Sequence, residues 1–192
     1  MDQSTMLQKV KKRLPENRYQ HVIGVVNTAT NLAKHFGASE QKAQIAAILH
    51  DVAKFSDREW MKSIIISKNM DPLLLEYHAE LWHAPVGAYV ANYEFGVQDE
   101  DVLNAIRYHT TGRAGMSDLE KIIYIADLVE PNRKFTGVDE LRQLKEQGLD
   151  VMMEACIKHS IEFLESKNQP VYPDSLKCYE YFVQQKGKVK ND

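Results

Sequence analysis

Hydrophobic residues recur along most of the chain at intervals of three and four positions, the spacing that places them on one face of an α-helix. Few segments alternate with the two-residue period of a half-buried strand. The pattern predicts helices over 3–14, 17–37, 39–54, 84–95, 99–109, 117–128, 138–147, 149–167 and 174–186, with shorter helices beginning at Ser56 and Asp71. Gly37 and Pro131 interrupt it, so we expect helices to end there.

Polar residues stand at several predicted helix starts. Asn17, Ser39 and Asp99 are predicted N-caps, because their side-chain oxygens can accept hydrogen bonds from N–H groups of the first turn. The run Ser117-Asp118-Leu119-Glu120 fits the S-x-x-E capping box, in which Ser117 and Glu120 would each satisfy a free backbone N–H.

The chain shows no internal repeat and no linker, and its 192 residues suit one domain. We therefore predict a single all-α domain over 1–192. Its candidate motifs fall within 18–135, further helices follow over 138–186, and the polar tail 187–192 is expected to fray.

Composition narrows the class of protein. Hydrophobic residues make up 44% and charged residues 27%, which is ordinary globular usage and excludes general disorder. A net charge of −3 argues against nucleic-acid binding. No apolar run approaches 18 residues, so no membrane helix is expected, and the first residues lack the apolar core of a signal peptide. Cys156 and Cys178 are predicted to be free thiols in a reducing cytoplasm.

Histidines and aspartates at or near the ends of apolar helices are the candidate chemistry. The segment AAILHDVAK ends an apolar helix with His50 and Asp51, and IIYIADLVEP places Asp127 among isoleucines. A buried carboxylate needs a partner, and a metal ion is a strong one. The full candidate set is His21, His50, Asp51, His83, His109 and Asp127.

One histidine on an apolar face is more often a core residue than a ligand, so the candidates gain weight only from their order on successive helices. His35, His78 and His159 lack such surroundings and are expected to be structural or exposed. Imidazole and carboxylate ligands together suit divalent iron, manganese, cobalt or nickel, and the absence of a cysteine pair argues against a thiolate zinc site.

The order H…HD…D, here His21, His50-Asp51 and Asp127, resembles the signature of the HD-domain metal-dependent phosphohydrolases. The segments LWHAPVGAYVA, around His83, and IRYHTTGRAGMSDLEKIIYIADLVEPNR, around His109, extend the likeness. Together with RYQHVIGVVNTATNLA they are similar to the YqeK-type symmetrical bis(5′-nucleosyl)-tetraphosphatases.

The resemblance implies an HD-type helical bundle with a buried dinuclear metal site. His21, His50, Asp51 and Asp127 would hold one divalent ion, and His83 and His109 the second, with Asp51 bridging. It further implies iron as the metal and metal-activated water as the nucleophile. The substrate would be a dinucleoside polyphosphate, diadenosine tetraphosphate, split symmetrically into two ADP.

A site that binds phosphate also needs positive charge and hydrogen-bond donors. Lys54, in HDVAK, lies one turn beyond His50 and is expected to act in catalysis with Asp51. Arg133 follows the Asp127 helix. The other predicted substrate contacts are Arg18, Thr110, Thr111 and Arg113. Most surface lysines and arginines do nothing specific, so these assignments compete with simple solvation.

Two alternatives stay open. The chain could be another HD phosphohydrolase, acting on nucleoside monophosphates, nucleoside triphosphates or a guanosine alarmone, or a catalytically silent nucleotide-binding regulator. The residues do not fix the oligomeric state, and a homodimer is one expectation. Tyr172, Tyr179, Tyr181 and Phe182 are expected to pack in the core, with stacking on a nucleobase as the alternative.

Overall fold

The computed structural model describes the backbone of residues 1–189 and the side chains of residues 1–185. This part of the chain is all-helical, as predicted, and contains no strand. The α-helices are α1 (Gln3–Lys11), α2 (Glu16–Phe36), α3 (Glu40–Leu49), α4 (Arg58–Ser67), α5 (His83–Tyr93), α6 (Glu100–Arg107), α7 (Asp118–Val129), α8 (Val138–Gln143), α9 (Leu149–Ser166) and α10 (Pro173–Val189). Short 3-10 segments cover Pro72–Glu76, Ala79–Leu81 and Leu144–Gln147.

Helices α3 and α7 form the centre of the bundle. In α7 every residue from Leu119 to Ala126 is buried, which is typical of a helix surrounded on all sides. Ala43, Ala46 and Ala47 of α3 are fully buried small residues that let neighbouring helices approach closely. Helices α2 and α6 each pack against both α3 and α7, and α9 covers α7 from the other side. The metal-ligand candidates therefore lie on or beside the most buried helices.

The predicted caps are confirmed at Ser39, Asp99 and Ser117, whose side chains accept hydrogen bonds from first-turn N–H groups. The prediction of Asn17 as the N-cap was wrong. Helix α2 begins at Glu16, and Pro15 is the N-cap residue, because its extended backbone and fixed φ suit that position. The capping box forms only in part, because the Glu120 carboxylate binds the Arg113 side chain.

Two helix ends also differ from the prediction. Helix α3 ends at Leu49 rather than near Lys54, so the segment from His50 to Phe55 consists of turns. Helix α10 continues to Val189, and the remainder of the predicted frayed tail, 190–192, lies outside the described residues.

Both cysteines are free and buried, and burial raises the pKa of each thiol to about 12. Among the described helices, none combines the length and the apolar character that crossing a bilayer requires.

Candidate metal centre

Five elements deliver the candidate ligands to one place. His21 comes from α2, His50 and Asp51 from the end of α3, His83 from the first turn of α5, His109 from the turn after α6, and Asp127 from α7. The four histidines and Asp51 are buried, and the Asp127 side chain is 18% exposed. Five of these six side chains are thus withdrawn from solvent, and Asp127 marks the open side.

The two oxygens of Asp51 face different histidines. Its Oδ1 lies 3.1 Å from Nε2 of His83 and 3.8 Å from Nε2 of His109. Its Oδ2 lies 3.1 Å from Nε2 of His50 and 3.8 Å from Nε2 of His21. Asp51 therefore separates the cluster into two halves and presents one oxygen to each.

Asp127 belongs to the half that contains His21 and His50. Its Oδ1 lies 2.9 Å from Nε2 of His21 and 3.9 Å from Nε2 of His50. His83 and His109 make up the other half, with their Nε2 atoms 3.1 Å apart. The structure thus brings all six predicted ligands together.

Hydrogen bonds at the outer nitrogens orient the four imidazoles. Nδ1 of His50, His83 and His109 each lies 2.6–2.7 Å from the backbone carbonyl three residues earlier. A carbonyl can only accept, so each Nδ1 carries a proton, and in the neutral ring each Nε2 presents a lone pair to the centre. Such lone pairs repel one another unless a cation lies between them.

Several inner atoms lack a hydrogen-bond partner among the described residues, namely Nε2 of His21, Nε2 of His50 and Oδ1 of Asp51. An unsatisfied buried polar atom costs about 1–3 kcal/mol. Nitrogen and carboxylate donors that converge in this way fit a divalent metal ion of the borderline or harder kind. The residues present therefore fit the metal that the sequence predicts.

The protonation states of Asp51 and His109 also suit metal binding. Burial by itself would raise the pKa of Asp51, but the adjacent His50 and His83 imidazoles outweigh it and hold that pKa well below its usual range. Burial, with the charges of His83 and His50, lowers the pKa of His109 to about 3. Asp51 is therefore a carboxylate and His109 a neutral imidazole, the forms that coordinate metals.

Glu130 is a functional candidate that the sequence analysis missed. It is buried, and its Oε1 lies 3.0 Å from Nδ1 of His21. Its Oε2 accepts a hydrogen bond from the backbone N–H of Asn132 at 2.8 Å. The signal was present in the sequence: Glu130 follows Asp127 by three positions, which places both on one face at the end of α7.

Two of the predicted basic residues reach the cluster. Arg18 donates from Nε and Nη2 to Oδ2 of Asp51, with Nε at 2.5 Å. Arg133 donates to Oδ1 and to the backbone oxygen of Asp127, at 2.8 and 2.9 Å. Lys54 instead lies against Glu80, with Nζ 2.6 Å from Oε2. An arginine therefore contacts each of the two carboxylates, Asp51 and Asp127.

The remaining predicted contacts are less direct. Arg113 donates from Nε and Nη2 to both oxygens of the buried Glu120, and its contact with phosphate stays a prediction. The Thr111 hydroxyl donates to the Gly112 carbonyl, 3.0 Å away. The buried Thr110 hydroxyl finds no partner within the described part of the chain, and this residue directly follows His109.

Two cavities are lined in part by residues that neighbour candidate ligands in sequence, and Leu81 and Thr110 line both. The first, of about 530 Å³, lies beside Lys68, Arg107, Tyr108 and Tyr172. The second, of about 750 Å³, lies beside Arg133, Phe135, His159 and Phe163. Each is of the size that small-molecule sites have.

The three other histidines and the aromatic residues can now be placed. His35 is exposed, and His78 accepts a hydrogen bond from the Glu80 N–H. His159 is half-buried against Phe135 and lines the second cavity, a setting that the sequence did not indicate. Tyr172 and Phe182 are buried, whereas Tyr179 and Tyr181 are partly buried.

Comparison with known proteins agrees with this geometry. The model of the HD domain family matches residues 18–132. A Bacillus subtilis (strain 168) protein named bis(5′-nucleosyl)-tetraphosphatase, symmetrical, is 54% identical over 183 residues, which are 95% of this chain and 98% of that protein. A Staphylococcus aureus (strain NCTC 8325 / PS 47) protein of the same name is 38% identical, with 95% of each chain covered.

The fold has a close counterpart among solved structures. A Clostridium acetobutylicum protein, described as a predicted HD superfamily hydrolase involved in NAD metabolism, superposes with a TM-score of 0.91 at 35% identity. The match covers 96% of this chain and 98% of that one. The chain belongs to the HD domain family, within the group that includes the bacterial proteins named symmetrical bis(5′-nucleosyl)-tetraphosphatase.

Proposed function

We propose that this protein is a metal-dependent phosphoanhydride hydrolase that cleaves diadenosine tetraphosphate symmetrically into two ADP. The observation that carries the proposal is the Asp51 carboxylate, whose two oxygens face two separate sets of histidine Nε2 atoms. Such an arrangement suits a pair of divalent ions with one shared ligand. The relatives named symmetrical bis(5′-nucleosyl)-tetraphosphatase support the choice of substrate.

The ligand assignment follows the two halves of the cluster. His21, His50 and Asp127 would hold one ion with Oδ2 of Asp51, and His83 and His109 would hold the other with Oδ1. Two such ions supply Lewis-acid activation of water and neutralise phosphate oxygens. We propose iron, because of the family resemblance; manganese, cobalt and nickel remain compatible with these donors.

Cleavage consumes one water molecule. The water oxygen forms a bond to one of the two central phosphorus atoms, and the bond from that phosphorus to the central bridging oxygen breaks. The bridging oxygen leaves on the second ADP. Lys54 and Arg133 would match the charge of the departing phosphates, Arg18 would neutralise charge beside Asp51, and the Thr110 hydroxyl would donate a hydrogen bond to phosphate.

The first cavity is a suitable place for one nucleoside. Tyr108 and Tyr172 supply aromatic surface, and Arg107 and Lys68 supply positive charge. The cavity reaches Thr110, next to His109, so a nucleoside there would place its phosphates at the cluster. Thr111 lines the same cavity.

Early reaction products identify the cleavage mode. We expect ADP alone from diadenosine tetraphosphate, and loss of turnover in EDTA. AMP and ATP in equal amounts would reject symmetrical cleavage. Turnover only of mononucleotides or a guanosine alarmone would favour another HD phosphohydrolase, and metal-dependent nucleotide binding without turnover would favour a silent regulator.

Metal analysis tests the centre separately. We expect two ions per chain, with iron predominant, and a strong decrease in Asp51→Asn, which keeps the side-chain shape but removes the shared anion. His35→Ala is the matched control and should retain metal and activity, because His35 is exposed and away from the cluster. A fully metallated, active Asp51→Asn variant would contradict the assignment. A homodimer, a cytoplasmic location and the absence of nucleic-acid binding stay predictions of the sequence.

A further inference from the structure

A symmetrical substrate imposes a requirement on the site. Diadenosine tetraphosphate carries one nucleoside at each end of a four-phosphate chain, and symmetrical cleavage requires the metal cluster at the middle of that chain. In that position one nucleoside lies on each side of the cluster. The two cavities share Leu81 and Thr110, the residue after His109, and are otherwise lined by different residues.

We infer that the second cavity, beside Arg133, Phe135, His159 and Phe163, binds the nucleoside of the departing ADP. This inference rests on the proposed function and adds a binding site to it. The occupant is a nucleoside diphosphate unit whose base stacks on aromatic rings and whose phosphates lie against Arg133.

Arg133 connects the cavity to the cluster. Its Nε and Nη2 donate to Asp127, a candidate ligand, while its side chain remains 34% exposed and lines the cavity. A guanidinium carries five N–H donors in one plane. The Nη1 donors are therefore placed to bind phosphate oxygens that lead from the cluster into the cavity.

The aromatic residues supply the surface for a base. His159 stacks on Phe135, with ring centroids 4.6 Å apart and planes at 24°. Phe163 follows His159 by four positions on α9, so the two side chains share one face of the helix. Phe163 is 54% exposed and lines the same cavity. An aromatic surface of this kind binds any base through its π face, so this site should tolerate different bases.

A comparison of two substrates tests the inference. Adenosine 5′-tetraphosphate has the same phosphate chain but only one nucleoside. In the parent protein, kcat/KM for diadenosine tetraphosphate should exceed that for adenosine 5′-tetraphosphate roughly five- to a hundredfold, the range expected for stacking of one base. In Phe163→Ala and in His159→Ala the value for diadenosine tetraphosphate should fall, while that for adenosine 5′-tetraphosphate should not change.

The partly exposed Trp60, on α4, lines neither cavity, so Trp60→Ala is the control for removal of a large aromatic side chain. It should leave both values unchanged. If adenosine 5′-tetraphosphate is not cleaved, its inhibition constant against diadenosine tetraphosphate takes the place of kcat/KM and should be equal in parent and variants.

The outcomes are separable. Equal kcat/KM for the two substrates in the parent, equal proportional losses on both in the variants, or no loss in either variant would overturn the inference while leaving symmetrical cleavage intact. If the parent releases no ADP from diadenosine tetraphosphate, the proposed function itself fails, and the inference fails with it. The thermal unfolding temperature should be near that of the parent in Phe163→Ala, because its side chain is exposed.

Discussion

Oε1 of Glu130 lies 3.0 Å from Nδ1 of His21, on the side of the imidazole opposite to Asp127. His50, His83 and His109 use backbone carbonyls at the same position of the ring. His21 is thus the one of these four imidazoles whose orienting partner is a charged side chain. A carboxylate behind a metal-binding histidine fixes the ring and raises the basicity of the ligand nitrogen.

Glu130→Gln should weaken metal binding without removing a ligand. The amide can still accept from Nδ1 of His21, but the negative charge that strengthens the Nε2 donor is lost. We expect metal affinity to fall about 10- to 100-fold, measured by competition with a chromogenic chelator. The control is Glu140→Gln, at an exposed position on α8. Equal affinity in both variants would show that Glu130 only fills space.

Gly24 makes room for Glu130, and Gly24→Ala should therefore disturb the centre. A Cβ atom at Gly24 would overlap Oε2 of Glu130 and lie 3.1 Å from its Cδ. We expect a loss of about 1–3 kcal/mol in the free energy of unfolding, typical of overpacking, together with weaker metal binding.

The matched control for Gly24→Ala is Gly87→Ala, inside α5. A Cβ atom there would meet its nearest neighbours at 3.5 Å, an ordinary contact. Alanine has a higher helix propensity than glycine by about 1 kcal/mol, so this variant should be as stable as the parent or more stable. Thermal unfolding of both variants compares the two sites. Equal destabilisation would contradict the assigned role of Gly24.

The structure brings the six predicted side chains together, and the sequence indicated several of them because they occupy unusual places in a local pattern. His50 and Asp51 end an apolar helix, and Asp127 interrupts a run of isoleucines. A polar residue within an apolar stripe needs a partner whatever the tertiary structure. Helical periodicity likewise indicated the approximate positions of most of the helices, since amphipathic faces must be buried.

Contacts between distant segments were not predictable in the same way. Glu120 fits a capping box locally, yet Arg113 competes successfully for its carboxylate. His159 and Phe135 are 24 positions apart and meet only because α9 packs near the loop after α7. Lys54 follows His50 by four positions, but the partner of its side chain, Glu80, comes from a segment with no pattern that indicates contact.

Lys54 is expected to exchange Glu80 for phosphate when substrate binds. Lys54→Ala should lower kcat/KM about 10- to 100-fold, the effect of losing a charge-assisted hydrogen bond of roughly 1.5–3 kcal/mol, while metal content stays unchanged. Stability should hardly change, because ion pairs near the surface contribute about 0–1 kcal/mol. The measurement is steady-state kinetics on protein of known metal content.

Glu80→Gln tests whether Lys54 needs Glu80 in order to bind phosphate. If Glu80 only holds the lysine before substrate arrives, removing its charge should not raise KM. A rise in KM comparable with that of Lys54→Ala would instead indicate that Glu80 keeps Lys54 in its working position.

Arg113 and Glu120 form a pair in which the carboxylate is buried and the guanidinium is partly exposed. Both Arg113 donors lie within 2.8 Å of the Glu120 oxygens, and these hydrogen bonds raise the pKa of Arg113. Arg113→Ala would leave an unpaired carboxylate in the interior. We expect a loss of about 3–5 kcal/mol in the free energy of unfolding, measured with urea.

The double variant Arg113→Met/Glu120→Met decides whether Arg113 has a second role with substrate. Apolar side chains of similar volume often replace a buried ion pair at little or no loss of stability, so the double variant should be more stable than Arg113→Ala. If Arg113 only neutralises Glu120, kcat/KM of the double variant should lie within about twofold of the parent value, a difference below 0.5 kcal/mol. A stable double variant with a much higher KM would support Arg113 as a substrate contact, since no guanidinium would remain to bind phosphate there.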